Sequence, residues 1–356
     1  MNPGGEALLA IELEARVADA ERLAAMGDAH GALAALKQAV DHGHQYASAL
    51  LGAWQVLGNF VETDVPAGLA RLESAAAAGE SAAAACLANL HAGGLQVEQD
   101  WPTSLGWLIR AAQLGNARAL TQLALMAEGP APDPLRINLL LAAATRDFAP
   151  AQYLLGNELR AADDPRHREI GAAWIGTAAR GGDPTARAEV APDQAIARSP
   201  GSVALEGFDW ETVQSRCDPA RWLTMRPGKK SYPLPQASTI VSLIPASWCH
   251  YLIGLAAQRL QRATVNDIAR GRVVHSMRTN SSANFPAGDS DPLLQLVNHR
   301  MAQACGLPLD HQEQTCILHY LPGQSYEDHF DFIDPDVPLF HDELASRGQR
   351  VVTVLI

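Results

Sequence analysis

Glycine recurs at nearly constant spacing through the first half of the chain, each time after an alanine-rich segment. Aligning segments such as AVDHGHQYA and AAAAGESAA superposes Gly43, Gly79, Gly115, Asp147 and Gly182, at separations of 36, 36, 32 and 35 residues. A period of this length is typical of solenoids in which each unit is a pair of helices. The repeat restricts the possible folds strongly, because each unit must bury its apolar face against the next.

The residues around each glycine position favour helix pairs. An alanine- and leucine-rich segment with a large residue, such as Trp107 or Trp174, precedes the glycine. A glycine at this point predicts a left-handed backbone conformation that ends the helix. Small residues such as Ala119 and Ala151 follow and would allow the next helix to pack closely. The apolar residues recur at helical spacing, so each helix is predicted to bury one stripe.

This pattern resembles Sel1-like repeats, relatives of the tetratricopeptide repeat, over residues 20–190. Two positions depart from it: Asp147 stands where a glycine is expected, and the loop GPAPDP at 129–134 is rich in proline. The resemblance implies an N-terminal α-solenoid whose concave surface binds a protein or peptide partner.

The charge and the apolar pattern exclude two classes of partner. The formal net charge is −12, whereas a protein that binds nucleic acid or an anionic membrane needs a basic face. We therefore predict no nucleic-acid partner. We predict no membrane partner either, because no apolar run approaches the ~18–20 residues that span a bilayer.

The cysteines and the N-terminus predict a cytoplasmic protein. Five cysteines are scattered along the chain without a C-x-x-C motif, which favours free thiols over a disulfide framework. The first residues, MNPGGEALLAIELEARVADAERLAA, carry acids where an export signal would carry a basic region.

Residues 191–236 are predicted to be a linker, because the sequence there becomes rich in proline and polar residues. A short helix is expected around 210–222. Beyond the linker, residues 237–356 are predicted to form a second domain. Its expected helices cover 246–263 and 291–306, and its expected strands cover 238–244, 314–321 and 351–356.

The most informative stretch of this second domain is YLPGQSYEDHFDF at 320–332, which contains His329 and Asp331. On an extended strand, residues i and i+2 point to the same face. An imidazole and a carboxylate held side by side supply two of the three protein ligands of a facial iron(II) site. An H-x-D pair alone is common, so its surroundings decide what it indicates.

The motifs around this pair resemble the prolyl 4-hydroxylase family of iron(II)- and 2-oxoglutarate-dependent dioxygenases. The similarity covers about residues 233–356. The matching positions occur in the family's order: Arg278, Thr279, Ser281, Arg300, Tyr320, Gly323, Gln324, Tyr326, His329, Asp331, Gly348, Gln349, Arg350 and Thr353. The resemblance implies an α+β multidomain chain, in which the α-solenoid of helix-pair repeats precedes a partial double-stranded β-helix, or jelly roll.

The same resemblance implies cofactors and site residues. His329 and Asp331 would bind Fe(II), and Tyr320, Arg350 and Thr353 would line the pocket of the co-substrate 2-oxoglutarate. Ascorbate would keep the iron reduced, and the substrate would be a peptidyl proline or a similar protein side chain. Tyr320 equally fits an aromatic residue that packs on a sheet, and Arg350 equally fits an ion pair on a sheet face.

Two family residues have no counterpart in the sequence: a distal iron-binding histidine and the basic residue that binds 2-oxoglutarate. Four other histidines occur nearby, and none has the family's spacing: His275, His311, His319 and His341. We therefore expect this chain to carry only the N-terminal part of the catalytic domain, and the apolar segment VVTVLI at 351–356 to be a central strand. The alternative is a non-catalytic Sel1-repeat adaptor with an incomplete, inactive oxygenase domain.

Overall fold

The computed structural model describes residues 3–127, 129–190, 204–224, 229–233, 237–267 and 271–356. Within these ranges the chain is mostly helical and contains a few short antiparallel strands. Among the described helices, none is both long enough and apolar enough to cross a lipid bilayer.

The first half of the chain is an array of helix pairs joined by short turns. The long helix α1 (Pro3–Ala25) packs on the first pair. The pairs are α2 (Ala29–Asp41) with α3 (Gln45–Leu57), α4 (Val65–Ala77) with α5 (Ser81–Gly93), α6 (Trp101–Gln113) with α7 (Ala117–Met126), α8 (Pro134–Ala144) with α9 (Ala149–Arg160), and α10 (Pro165–Arg180) with α11 (Pro184–Glu189).

The aligned repeat positions all lie in the turn inside a pair, as the sequence predicts. Their φ angles are +80° at Gly43, +100° at Gly79, +84° at Gly115, +58° at Asp147 and +97° at Gly182. A left-handed residue lets the chain reverse directly after the first helix. Asp147 adopts this conformation without being glycine, which short polar side chains tolerate better than most.

Aspartates begin the first helix of successive units. The side chains of Asp64, Asp100 and Asp133 each accept a hydrogen bond from the backbone N–H three residues later. Proline occupies the first or second helical position after each of them. Aspartate followed by proline is a strong helix start, because the side chain satisfies an N–H that has no partner within the helix.

Glycines also bring neighbouring pairs into close contact. A Cβ atom on Gly52 of α3 would lie 2.9 Å from the carbonyl oxygen of Gly68 of α4. A Cβ on Gly156 of α9 would lie 2.7 Å from the carbonyl oxygen of Gly171 of α10. Both distances are too short for a side chain, so these positions fix how closely consecutive units stack.

The second half of the chain combines helices with short strands. Its helices are α12 (Trp210–Arg216), α13 (Pro219–Thr224), α14 (Ala246–Ala257), α15 (Pro292–Cys305) and α16 (His341–Arg347). Its strands are β1 (Lys229–Tyr232), β2 (Ala237–Ile240), β3 (Gln261–Arg262), β4 (Val265–Asp267), β5 (Gly271–Val273), β6 (Ser281–Phe285) and β7 (Thr315–His319). They form three antiparallel sheets, β1–β2, β3–β6–β7 and β4–β5.

Several predicted elements are present, with shifted ends. The helix expected at 291–306 is α15, and the strand expected at 314–321 contains β7. The helix expected to reach residue 263 ends at Ala257. Of the predicted linker 191–236, residues 191–203, 225–228 and 234–236 lie outside the described residues, and 210–224 forms α12 and α13.

The predicted central strand at 351–356 is wrong. These residues form no strand, and Val351, Val352 and Leu355 are exposed. A strand requires a neighbour for its backbone hydrogen bonds, and the described residues offer it none; β7 pairs only with β6. The small sheets do not confirm the predicted double-stranded β-helix.

The hydrophobic core extends across both halves of the chain. One buried cluster includes Leu90 and Leu123 of the array together with Trp248 and Leu293 of the second half. A separate cluster around Trp54 holds the first three helices together. The array and the following region therefore share apolar packing in the structure.

Candidate metal site

The candidate ligands, His329 and Asp331, come after β7 in the chain. The segment that precedes them is anchored by a short irregular pairing with residues 277–279. After a turn at residues 321–324, the Thr279 N–H donates to the Ser325 carbonyl oxygen over 2.8 Å. The Glu327 N–H donates to the Met277 carbonyl oxygen over 2.9 Å. These two hydrogen bonds flank an antiparallel bridge between Arg278 and Tyr326. The pairing anchors the chain three residues before His329.

The His329 ring has a defined orientation. Its Nδ1 lies 2.7 Å from the Glu327 carbonyl oxygen, which can only accept, so Nδ1 carries the proton. In the neutral ring, Nε2 is then the nitrogen that can act as a ligand atom, and it lies 3.6 Å from Oδ1 of Asp331. A backbone acceptor on the other ring nitrogen is the usual partner of a metal-binding histidine.

The Asp331 carboxylate is held from its other side. Thr353 Oγ1 donates a hydrogen bond of 2.6 Å to Oδ2, which leaves Oδ1 facing the imidazole. Two ligands that bind one octahedral metal ion at right angles, each at ~2.1 Å, lie about 3 Å apart. The separation of Nε2 and Oδ1 is close to this value, so the pair fits one metal ion after a small adjustment.

A stack of three side chains supports the imidazole. The ring centroids of His329 and Tyr326 are 3.7 Å apart, with an angle of 28° between the planes. The guanidinium carbon of Arg278 lies 4.7 Å from the centroid of the same phenol ring. Arg278 is fixed in turn by hydrogen bonds to the Thr264 carbonyl oxygen and to Asn280 Oδ1.

Arg350 forms an ion pair near the site. Its Nε and Nη2 atoms donate to the two carboxylate oxygens of Glu313 over 2.5 and 3.1 Å, and these hydrogen bonds raise the pKa of Arg350. Its Nη1 lies 3.4 Å from the backbone oxygen of Asp331. Arg350 and Thr353 thus lie beside Asp331, and their predicted role in binding 2-oxoglutarate stays a prediction.

Tyr320 is not brought to the pair. Its side chain is 43% exposed, and among the described residues no hydrogen bond or ring contact joins it to His329 or Asp331.

Glu313 is the residue near the site that the sequence analysis missed. An isolated acidic residue in a loop gives no signal that it will pair with an arginine 37 positions away.

His329 and Asp331 do not have the extended-strand geometry that the sequence analysis assumed for the H-x-D pair, because residues 327–332 are irregular. The segment is held instead by Gln349, whose side chain accepts from the Ile333 N–H over 2.6 Å and donates to the Ile333 carbonyl oxygen over 2.7 Å. Hydrogen bonds from Gln349 and Thr353, 16 and 22 positions away along the chain, therefore hold this segment without strand geometry.

The donor set suits iron(II), which binds imidazole nitrogen and carboxylate oxygen. No group of three histidine, cysteine, aspartate or glutamate side chains in the described part of the chain is placed to hold one metal ion. The two candidate side chains are 38% and 52% exposed, so the face between them is open. The described site is thus a pair of ligands with accessible positions beside them.

No family model matches the chain. Among curated proteins, it is 34% identical over 124 residues to the Arabidopsis thaliana protein "Probable prolyl 4-hydroxylase 10", covering 34% of this chain and 40% of that protein. It is 32% identical over 124 residues to Arabidopsis thaliana "Prolyl 4-hydroxylase 2", with 34% and 39% covered. It is 35% identical over 101 residues to Rattus norvegicus "Prolyl 4-hydroxylase subunit alpha-1", with 28% and 19% covered.

Two solved structures are similar to the chain. One is a Sel1 repeat protein from Oxalobacter formigenes, at 25% identity and a TM-score of 0.39, with 44% of this chain and 48% of that chain covered. The other is c5321 of Escherichia coli, described as a protective antigen with an SLR fold, at 21% identity and a TM-score of 0.35, with 49% and 39% covered.

The chain spans about two-fifths of the length of the Arabidopsis thaliana relatives, and the alignment covers about a third of this chain. The resemblance inferred from the spaced motifs is confirmed by these sequence identities. A third of this chain is similar to prolyl 4-hydroxylases.

Proposed function

We propose that residues 237–356 belong to an iron(II)- and 2-oxoglutarate-dependent dioxygenase that hydroxylates a peptidyl proline or a similar protein side chain. The proposal depends mainly on one observation: His329 Nε2 and Asp331 Oδ1 lie 3.6 Å apart on an open face. The prolyl 4-hydroxylases among the curated relatives support the same class of reaction.

Each residue of the site has a role in this proposal. His329 and Asp331 hold the iron, and Thr353 turns one carboxylate oxygen of Asp331 toward it. Arg350 and Tyr320 contribute to binding 2-oxoglutarate, for which Arg350 would have to leave Glu313. Bound iron, together with 2-oxoglutarate and dioxygen, supplies the oxidation of a substrate C–H bond, and ascorbate keeps the metal ferrous. The surrounding fold would be a jelly roll.

The proposal extends to partners and compartment. The substrate is a protein or peptide, and the helical array contributes protein binding. Cytoplasmic localisation is supported by the five cysteines, which are all free thiols. The alternative of a non-catalytic adaptor is not favoured, because the curated relatives named above are described as hydroxylases.

Iron binding by the purified full chain tests the ligand pair. Anaerobic calorimetric titration with Fe(II) is expected to show one site, weakened at least about tenfold in His329→Ala and in Asp331→Ala. His311→Ala is the matched control, because this exposed histidine lies outside the site. Absence of binding by the wild type, or equal affinity in wild type and His329→Ala, would overturn the proposed site.

Succinate release tests the reaction. The chain is incubated with Fe(II), 2-oxoglutarate, ascorbate and a proline-rich peptide, beside His329→Ala. More succinate from the wild type than from the variant, with hydroxyproline detected in the peptide, is the expected result. Equal release from both proteins would reject the activity for this chain.

A further inference from the structure

The second helices of the repeat pairs contact the region that follows the array. Helix α15 packs against α5 and α7, and α14 packs against α9 and α11. In a solenoid of helix pairs, the second helices of successive units lie side by side and form one face. We call this face, formed by α5, α7, α9 and α11, the inner face. In the structure, α14 and α15 cover it.

The end of α7 requires donors from outside the array. The last carbonyl groups of a helix have no partner within it. The indole N–H of Trp248 donates to the Leu125 carbonyl oxygen over 2.9 Å, and that of Trp222 donates to the Met126 carbonyl oxygen over 3.2 Å. Both acceptors and Trp248 are buried. Two side chains of the second half thus satisfy the last carbonyl groups of a helix in the first half.

A charged pair is shared across the same boundary. Arg118 of α7 donates from Nε over 2.8 Å to Oδ2 of Asp291, the residue that caps the N-terminus of α15. The Tyr251 hydroxyl of α14 donates to the same oxygen over 2.6 Å. Asp291 and Tyr251 are buried, so each group depends on the others for its hydrogen bonds.

Amide side chains form further hydrogen bonds between the inner face and the second half of the chain. Asn89 of α5 donates to the Ala287 carbonyl oxygen over 2.9 Å, and the side chain of Gln295 on α15 donates to Asn89 Oδ1 over 3.3 Å. Asn89 and Gln295 are both buried. Buried polar groups at several points along the face therefore find their partners in one particular segment of this chain.

We propose that the inner face is an intramolecular docking surface, and that its partner is the α14–α15 region of the same chain. The array and the region similar to prolyl 4-hydroxylases are then one folding unit. This face is consequently closed to a substrate protein, and an external partner must bind elsewhere. The proposal concerns packing alone and does not depend on iron, 2-oxoglutarate or catalysis.

Hydrogen–deuterium exchange of the full wild-type chain in a urea series tests the single unit. Peptides from α7, α14 and α15 are expected to lose protection at the same urea concentration, because none of these helices keeps its buried surface without the others. Protection retained by α14 and α15 after α7 has lost it, or the reverse, would overturn the proposal. This measurement requires no variant and no ligand.

Two matched variants test whether the Arg118–Asp291 contact couples the array to α14 and α15. Arg118→Met leaves Asp291 buried without its cation and is expected to accelerate exchange in α14 and α15 at least about tenfold. Adding Asp291→Asn should reverse part of this acceleration. The control Arg71→Met loses only a part-buried neutral hydrogen bond to Gln55, so its smaller destabilisation should change exchange in α14 and α15 by less than about twofold. Exchange in α14 and α15 that stays within about twofold of the wild type in Arg118→Met would contradict the inference.

Discussion

The imidazole of His329 lies against the phenol ring of Tyr326, with ring centroids 3.7 Å apart. Glu327 accepts the Nδ1 proton of the same imidazole, so the ring is restrained both in its plane and on its face. A ligand with a fixed orientation loses little conformational freedom when it binds a metal ion. The stack therefore predetermines where Nε2 points.

Replacement of Tyr326 tests this restraint. Tyr326→Leu removes the flat surface under His329 and is expected to weaken Fe(II) binding about tenfold, as losses of supporting contacts do at metal sites. Tyr326→Phe keeps the stacking surface and should bind iron as the wild type does. Anaerobic calorimetric titration of the three proteins provides the comparison, and a Phe variant as weak as the Leu variant would show that stacking is not the cause.

Thr353 provides a second support, on the carboxylate. Thr353→Val keeps the shape of the side chain but removes the hydroxyl that donates to Asp331 Oδ2. We expect Fe(II) affinity to fall by about tenfold, because the freed carboxylate can rotate away from His329. Thr353→Ser retains the donor and should keep most of the affinity. Unchanged affinity in Thr353→Val would exclude Thr353 from orienting the ligand.

Arg350 would bind 2-oxoglutarate through the N–H groups of its guanidinium. Two of these groups already donate to the Glu313 carboxylate. Glu313→Gln removes the competing charge, so we expect 2-oxoglutarate to bind severalfold more tightly to the iron-loaded protein. Arg350→Met should abolish this gain when it is combined with Glu313→Gln. A gain that persists without Arg350 would assign 2-oxoglutarate binding to another residue.

The array was predictable because its signals are local. The glycine period and the small residues that follow each glycine lie within a few positions of the turns they specify, and the φ angles confirm them at all five aligned positions. Asp147 shows that the backbone conformation persists where the glycine does not. The aspartate and proline residues at the starts of α4, α6 and α8 are local signals of the same kind.

The strands near the site were less predictable because they depend on distant partners. Alternating or β-branched residues predicted a strand at 351–356, yet the backbone finds no neighbour among the described residues. The juxtaposition of His329 with Asp331 was foreseen from the H-x-D spacing, although contacts with Glu327, Tyr326 and Thr353 produce it rather than a strand. The Trp248 hydrogen bond to Leu125, across 123 positions, left no sequence pattern to find.

His299 is expected to make the stability of the α15 packing depend on pH. Its half-buried ring accepts a hydrogen bond of 2.6 Å from Gln99 and lies edge-on to Trp101, and burial lowers its pKa from 6.5. The folded state then favours the neutral ring. The resulting stabilisation is complete above the unfolded pKa of about 6.5 and decreases as the pH falls below it.

The measurement for His299 is the urea midpoint between pH 7.5 and 5. The wild type is expected to lose stability over this interval, and His299→Gln should lose less, because it removes one group that the folded state keeps neutral. Phosphate and acetate buffers of equal ionic strength keep screening constant. Identical pH profiles for the two proteins would exclude His299 as the source.

Asp147 tests the conformational role of the repeat position. Its φ of +58° is unfavourable for a residue with a side chain, and no side-chain hydrogen bond of Asp147 is present among the described residues. Asp147→Gly removes that strain but adds freedom to the unfolded chain, so we expect a net gain of about 0.5 kcal/mol in the free energy of unfolding. The control is Gly43→Ala, because no atom lies within 4 Å of the added Cβ. There the backbone conformation alone should cost about 1 kcal/mol. Urea midpoints measure both changes, and a less stable Asp147→Gly protein would show that the aspartate contributes more than its backbone conformation.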